Sequence, residues 1–239
     1  MSEKWQWLRH GLHTLVELFF PKKCVSCNRR LVNEDHVCTH CMLQLPRTFF
    51  HLNPENQLVQ RFWSESNMEQ ATGYFYYSKE APFRYILYEL KYYGNQSLAH
   101  YMGTCIVSHI GKEHAFWKGI DCIVPIPLSK ERLKKRGYNQ CEAIAQGISQ
   151  ESGIPMNTNI LLRVVDNPTQ TRLKKLARWE NSKDIFMANP TYDFQGKHLL
   201  LLDDVVTTGS TLISCIRAIH RKYPNCHISV MALSVVPQL

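Results

Sequence analysis

Apolar positions along the chain follow two rhythms, one of helical and one of strand period, and their alternation predicts the architecture. Leu8, Leu12, Leu15, Leu18 and Phe19 recur at helical spacing, which predicts an amphipathic helix ended by Pro21. A turn-rich stretch, 22–46, follows, and then a polar one with isolated aromatics, 53–70, which reads as a connector or irregular helix. From Thr72 the pattern changes. Tyr74, Phe75, Tyr76 and Tyr77 predict a strand, Tyr85, Leu87, Leu90 and Lys91 a helix, and 98–110 another. A strand over 120–126, broken by Pro125 and Pro127, leads into one long helix over 129–151. Residues 199–202 are all leucine, a run suited to a strand buried on both faces. The chain turns at 207–210, Leu212, Ile213, Ile216 and Ile219 resume helical spacing, and 228–236 returns to strand.

Strands alternating with helices predict an α/β fold, a parallel sheet covered on both faces and joined by right-handed crossovers. Ligands of such sheets sit beyond the carboxyl ends of the strands. That rule directs attention to 199–211, where the leucine strand ends in Asp203 and Asp204. A turn of Thr207, Thr208, Gly209, Ser210 and Thr211 then opens a helix. Unpaired N–H groups at a helix start carry positive potential, so a phosphate monoester docks there with help from the hydroxyls. Gly209 lets the backbone approach without a Cβ clash. Two acids beside that phosphate repel it unless they face sugar hydroxyls or a metal. Helix capping alone accounts for one carboxylate and not for an adjacent pair.

Composition narrows the setting. The 239 residues are 44% hydrophobic and 20% charged, which suits a domain of moderate size with a small appendage and not a disordered chain. A formal net charge of +8 favours anionic partners, whether phosphate esters, nucleic acid or a membrane surface, without choosing among them. Nine cysteines, an odd number with four in two close pairs, fit a reducing compartment, the cytoplasm, better than a disulfide framework. The apolar run at 15–20 is too short to cross ~30 Å of hydrocarbon, so no transmembrane segment is expected. The first helix is expected to pack on its own domain, with the inner face of a membrane or a partner protein as the alternative.

Cys24 and Cys27, with Cys38 and Cys41, form two C-x2-C knuckles, the spacing that closes a tetrahedron around a structural Zn2+. Four thiolates fill such a site, and the metal replaces a core that so short a module cannot build. His36 and His40 read as bystanders. Cys105, Cys122, Cys141, Cys215 and Cys226 read as small buried hydrophobes with no His-and-acid arrangement beside them.

A second constellation comprises Pro125-Ile126-Pro127, Ser129, Arg132 and Arg136-Gly137-Tyr138-Asn139-Gln140. Arg132 and Arg136 are four apart and share a helix face, which serves either as a solvated basic surface or as an anion contact. The stretch 199–211 resembles the signature loop of type I phosphoribosyltransferases. The proline loop, the cysteine pairs, Lys91-Tyr92-Tyr93-Gly94, Thr169-Gln170-Thr171, Arg178 and Asn181 extend the likeness over nearly the whole chain. That wider pattern resembles the ComF family, linked to DNA uptake in natural competence.

The resemblance implies a type I phosphoribosyltransferase fold over 71–239, a helix and zinc module over 1–50, and a connector over 51–70. It implies that Asp203 and Asp204 take the ribose 2′ and 3′ hydroxyls of 5-phosphoribosyl 1-diphosphate and that 207–211 hold its 5′-phosphate. Residues 125–127, Arg132, Arg136 and Lys91 join that ligand site, and Mg2+ accompanies the diphosphate. A loop within 163–178 closes over the reaction centre with Arg163 and Arg172 as its cations; an exposed basic helix from Thr171 is the other reading of that segment.

Two functions follow. An enzyme moves phosphoribose to a base or amine, with nitrogen attacking C1 as diphosphate leaves and no protein nucleophile required. A non-catalytic module keeps the ligand site and receives single-stranded DNA, or contacts a competence helicase, translocase or DNA-processing protein. Trp63, Tyr92, Tyr93 and Trp179 are its candidate stacking aromatics.

Overall fold

The computed structural model describes residues 21–164 and 185–237. The helix expected over 8–19, the motif at 169–171, Arg172, Arg178, Trp179 and Asn181 lie outside those residues. The described elements run α1 (Thr39–Gln44), α2 (Gln57–Gln60), β1 (Met68–Tyr76), α3 (Arg84–Tyr92), α4 (Gln96–Ile110), β2 (Cys122–Pro125), α5 (Lys130–Arg136), α6 (Gln140–Ser152), β3 (Leu161–Arg163), β4 (Phe186–Ala188), β5 (His198–Val206), α7 (Ser210–Lys222) and β6 (His227–Val235).

The expected parallel sheet forms from β1, β6, β5 and β2, in that spatial order, with all three pairings parallel. Successive strand side chains point to opposite faces. Leu200 and Leu202 therefore enter a core shared with α3, α4 and α6, while Leu199 and Leu201 enter a second core under α7. All four have no exposed surface, as a strand covered on both faces requires. Withdrawing each leucine from water contributes about 1.5–3 kcal/mol. β3 and β4 form a separate antiparallel pair that flanks the segment 165–184.

Three expectations need correction. The single helix over 129–151 is two, α5 and α6. Gly137 ends α5 in the left-handed region at φ 77°, and Asn139 restarts the chain as the cap of α6, its side chain accepting from the Cys141 N–H. Strand β5 does not stop before the acids but runs through Asp203 and Asp204 to Val206. Strand β1 begins at Met68 rather than Thr72, and the stretch before it is anchored. The Asn56 side chain caps α2 through Leu58 N and Val59 N, and its Nδ2 donates to the carbonyls of Phe50, Asn53 and Ala71. Leu58 and Phe62, four residues apart, are fully buried under the sheet.

The cysteine module shares a core with the sheet, since Cys24, Leu31, Val37, Cys38, Cys41 and Leu45 cluster with Tyr74, Phe75 and residues of α4. Among the described residues no helix is long and apolar enough to cross a membrane.

Helices α4 and α6 touch backbone to backbone at Gly103 and Gly147. A Cβ at Gly147 would collide with the His100 carbonyl, and one at Gly103 with the carbonyl of Ile144. The substitution Gly147→Ala is therefore expected to destabilise the protein by about 1–3 kcal/mol, the cost of overpacking a close contact. A lowered urea midpoint at unchanged slope is the readout.

Candidate functional site

The carboxyl end of β5 and the start of α7 build the site. Thr207, Thr208, Ser210 and Thr211 are exposed at the turn, and Gly209 is buried at the N-cap of α7 with φ 86°. Glycine at that position has no side chain to cap the helix, and Thr208 Oγ1 instead accepts weakly from the Ser210 N–H at 3.4 Å, so positive potential remains at the helix start. Thr208 and Ser210 hydroxyls meet at 2.7 Å. The turn and Asp203 line a small, open concavity. A larger concavity elsewhere, lined by Pro21, Arg30, Asn33 and their neighbours, brings no comparable chemistry together.

Two residues that the sequence did not single out support the turn from below. A Cβ at Gly209 would stand 3.1 and 3.3 Å from Phe62 ring atoms, so ring contact and positive φ both demand glycine. Arg61 donates from Nη1 to the Thr207 carbonyl and from Nη2 to the Val236 carbonyl, the latter at 2.8 Å. The turn is thus clamped by the segment that reads in sequence as a connector. The pairing of Leu58 with Phe62 at helical spacing is the one local signal that could have exposed it.

The acids are held unequally. Asp204, only 6% exposed, accepts on Oδ2 from Lys91 Nζ at 3.2 Å and from Gln140 Nε2 at 2.9 Å. Asp203 is half-buried, and its Oδ1 accepts from the Asp204 N–H at 2.8 Å and from the Cys141 thiol at 3.7 Å. Burial first, and the neighbouring Asp204 charge second, push the Asp203 carboxyl above the usual carboxylate range. Burial and both acids push the Cys141 thiol far upward, so it stays protonated. Burial likewise raises Cys105, Cys122, Cys215 and Cys226; of these Cys215 and Cys226 are buried as expected, whereas Cys105 and Cys122 are partly exposed.

Strand β2 delivers the proline loop to the same edge. Pro125 pairs with Leu202, and the Ile126 N–H donates to the Leu202 carbonyl at 3.0 Å, which sets residues 125–127 beside Asp203. Asn139 Nδ2 donates to the Ile126 carbonyl at 3.1 Å, and Tyr138 OH to the Leu90 carbonyl at 2.6 Å. These bonds tie the start of α6 to the proline loop and to the end of α3, where Lys91 sits. Arg132 and Arg136 stand on α5, a helix that buries none of its residues; Arg132 is exposed and Arg136 half-buried. The Arg163 guanidinium lies over the Phe186 ring, 5.3 Å from its centroid. Lys91, Asp203, Asp204 and the turn are therefore brought together at one edge of the sheet.

A second cluster lies in the N-terminal module. One sulfur from each of Cys24, Cys27, Cys38 and Cys41 falls within 4.8 Å of the others, and the group could hold a metal ion. Cys27 and Cys38 sulfurs are 3.7 Å apart, too far for a disulfide and close to the ~3.8 Å edge of a tetrahedron with ~2.3 Å metal–sulfur bonds. The Cys38 N–H donates to Cys24 Sγ at 3.3 Å. Burial opposes ionisation of Cys24, but N–H groups of Cys38, Cys27 and Ser26 outweigh it and lower the thiol to about 7. Burial, with the Cys24 and Cys27 sulfurs adding to it, raises Cys38 and Cys41.

Residues 126–235 match the family described as phosphoribosyl transferase domain. Competence protein F of Haemophilus influenzae is 40% identical over 93 residues, 38% of this chain and 41% of that protein. The match thus spans about two fifths of the length of that relative. DNA utilization protein YhgH of Escherichia coli K12 is 26% identical over 191 residues, 79% of this chain and 80% of its own. Competence protein ComFC of Bacillus subtilis is 32% identical over 111 residues, 46% of this chain and 43% of its own. The parallel sheet and the family match define a phosphoribosyltransferase-like domain with a four-cysteine cluster before it. Relatives named competence protein F, ComFC and YhgH, together with the domain match, support a phosphoribosyltransferase-like protein of the ComF type.

The electrostatics of Asp203 predict a pH-dependent stability. A carboxyl whose pKa rises on folding favours the folded state below its unfolded value, and that contribution is lost as pH climbs through the raised value. Asp203→Asn removes the buried charge, so the variant is expected to melt higher than the parent at about pH 8, by roughly 2–4 °C per kcal/mol relieved. The gap is expected to narrow toward about pH 4, near the unperturbed carboxylate pKa. Thermal melts across that range check both sign and trend.

Proposed function

We propose that the protein binds 5-phosphoribosyl 1-diphosphate together with Mg2+ and acts in DNA uptake. The observation that supports this reading is the short passage of β5 from an acid pair through a hydroxyl-rich turn into a helix start with glycine at its N-cap. On this reading the amides and hydroxyls of 207–211 hold the 5′-phosphate, and Asp203 and Asp204 take the ribose hydroxyls. Lys91 and Gln140 orient Asp204 for that task. Residues 125–127 face the diphosphate from the next strand, and the arginines of α5 add positive potential beside them. Mg2+ supplies neutralisation of the diphosphate charge. Arg163 and Arg172 are the candidates to cover the reaction centre.

Catalysis on this scaffold would rest on position and electrostatics, because the buried Cys141 is held protonated and offers no nucleophile. DNA uptake enters through the relatives, whose names refer to competence and DNA utilization. A second reading, a module that receives single-stranded DNA or a translocase, has its own support. Tyr85, Tyr88 and Tyr92 form an exposed ladder along α3, with ring centroids 6.2 and 5.5 Å apart, and α5 presents Lys130, Arg132, Lys134 and Lys135 to solvent. Exposed aromatics and cations of this kind suit a single strand.

One set of titrations tests both. Asp203→Asn with Asp204→Asn is expected to abolish calorimetric binding of 5-phosphoribosyl 1-diphosphate with Mg2+ while leaving the far-ultraviolet circular dichroism unchanged. Undiminished affinity would refute the ligand reading. Affinity for a single-stranded oligonucleotide that survives the double substitution and falls steeply with salt would favour the second.

The four-cysteine cluster is read as a structural Zn2+ site on its sulfur geometry and its complete set of four donors. Chelation is expected to lower the melting temperature by roughly 10 °C, from about 4 kcal/mol of binding linkage at 2–4 °C per kcal/mol. Elemental analysis should find one zinc per chain, and its absence would overturn the assignment.

A further inference from the structure

Arg61 stands at the end of α2 and ties together two segments that reach the same edge of the sheet. Its Nη1 donates to the carbonyl of Thr207, in the turn after β5, and its Nη2 to that of Val236, just after β6, at 2.8 Å. The first bond acts beyond the atom it touches. A trans peptide is planar, so its C=O and N–H point in opposite directions, and the described residues contain no cis peptide bond. Holding the Thr207 carbonyl therefore sets the Thr208 N–H, which points away from Arg61. That N–H makes no hydrogen bond among the described residues, and Thr208 is exposed and lines the open concavity. The residues after Arg61 grip α7 instead. Glu65 accepts from Arg217 Nη2 at 2.7 Å, and Asn67 Nδ2 donates to the Pro224 carbonyl at 2.7 Å. Neither bond touches 207–211.

We infer that Arg61 is a positioning residue of the ligand site: by holding the Thr207 carbonyl it aims the Thr208 N–H at the 5′-phosphate of the bound ligand, without touching that ligand itself. This rests on the ligand reading above and deepens it. A peptide in an exposed turn can rotate between orientations, as turn types I and II illustrate, and a donor already set binds more tightly than one that must first be ordered. A cation on the carbonyl also polarises the amide and strengthens its N–H as a donor. Arginine suits the task, because its planar fork donates to two carbonyls at once and keeps its charge at every working pH.

The test sets Arg61 against a neighbour with a structural duty alone. Ribose 5-phosphate is titrated calorimetrically into the full chain, into Arg61→Met and into Glu65→Gln, with a thermal melt of each. Affinity should fall about tenfold in Arg61→Met, the contribution of one hydrogen bond to a charged group, and stay within about twofold in Glu65→Gln, although both variants melt lower. In 15N-labelled parent the Thr208 backbone amide signal should shift as ribose 5-phosphate is added, and that shift should shrink by about half or more in Arg61→Met. Arg61→Lys, which keeps the charge and loses the fork, covers a methionine variant that does not fold; a loss of about fivefold is expected of it. A folded Arg61 variant with undiminished affinity, a Glu65→Gln variant that loses as much, or a bound parent whose Thr208 signal stays unmoved overturns the assignment alone. A parent that fails to bind ribose 5-phosphate removes the ligand reading, and this assignment with it.

Discussion

Burial of β5 on both faces is the constraint on which the site depends. Four consecutive leucines cover both faces of the strand, Leu200 and Leu202 in one core and Leu199 and Leu201 in the other, so the strand is held in the middle of the domain. Pairing with β2 and β6 then fixes where the strand meets solvent, and Asp203 and Asp204 stand at that limit. Apolar packing therefore positions two charged groups that could not hold themselves in place. The turn that follows inherits the same precision, since Gly209 closes onto Phe62 and Thr207 onto Arg61.

The price of this arrangement falls on the acids. A strand that buries its leucines carries its carboxylates part of the way inside, and the two acids disfavour each other's charge. Lys91 and Gln140 offset the cost at Asp204, whereas Asp203 has only an N–H and a thiol. Groups left strained in this way cluster at functional sites, where stability is given up for chemistry. In a chain of net charge +8, the acid pair is a local inversion of the prevailing field, suited to neutral sugar hydroxyls next to a turn suited to phosphate.

The cysteine module is joined to the same economy of burial. Cys24, Cys38 and Cys41 are covered by the core that Tyr74, Phe75 and α4 share with the sheet, so the sulfur cluster packs against the domain rather than hanging from it. The stretch between them does comparable service on the opposite face, where Leu58 and Phe62 fill the second core. Its polar surface residues obscure this in the sequence, because a single spaced pair, Leu58 in a four-residue helix and Phe62 in the turn after it, is a faint signal.

What the sequence determined by itself is what short spacing can encode. The strand period of 199–202, the helical period of 212–219, the adjacent acids, the glycine of the turn and the two C-x2-C pairs each depend on neighbours within a few residues, and each stands where its pattern places it. The break between α5 and α6 was half legible, since Gly137 was visible but the capping role of Asn139 was not. Only the tertiary structure decided which residues serve the acids and the turn. Gln140 reaches Asp204 across 64 positions and Arg61 reaches Thr207 across 146. Contacts of that range leave no periodicity in one chain, because they arise when strand order brings distant segments to the same edge of a sheet.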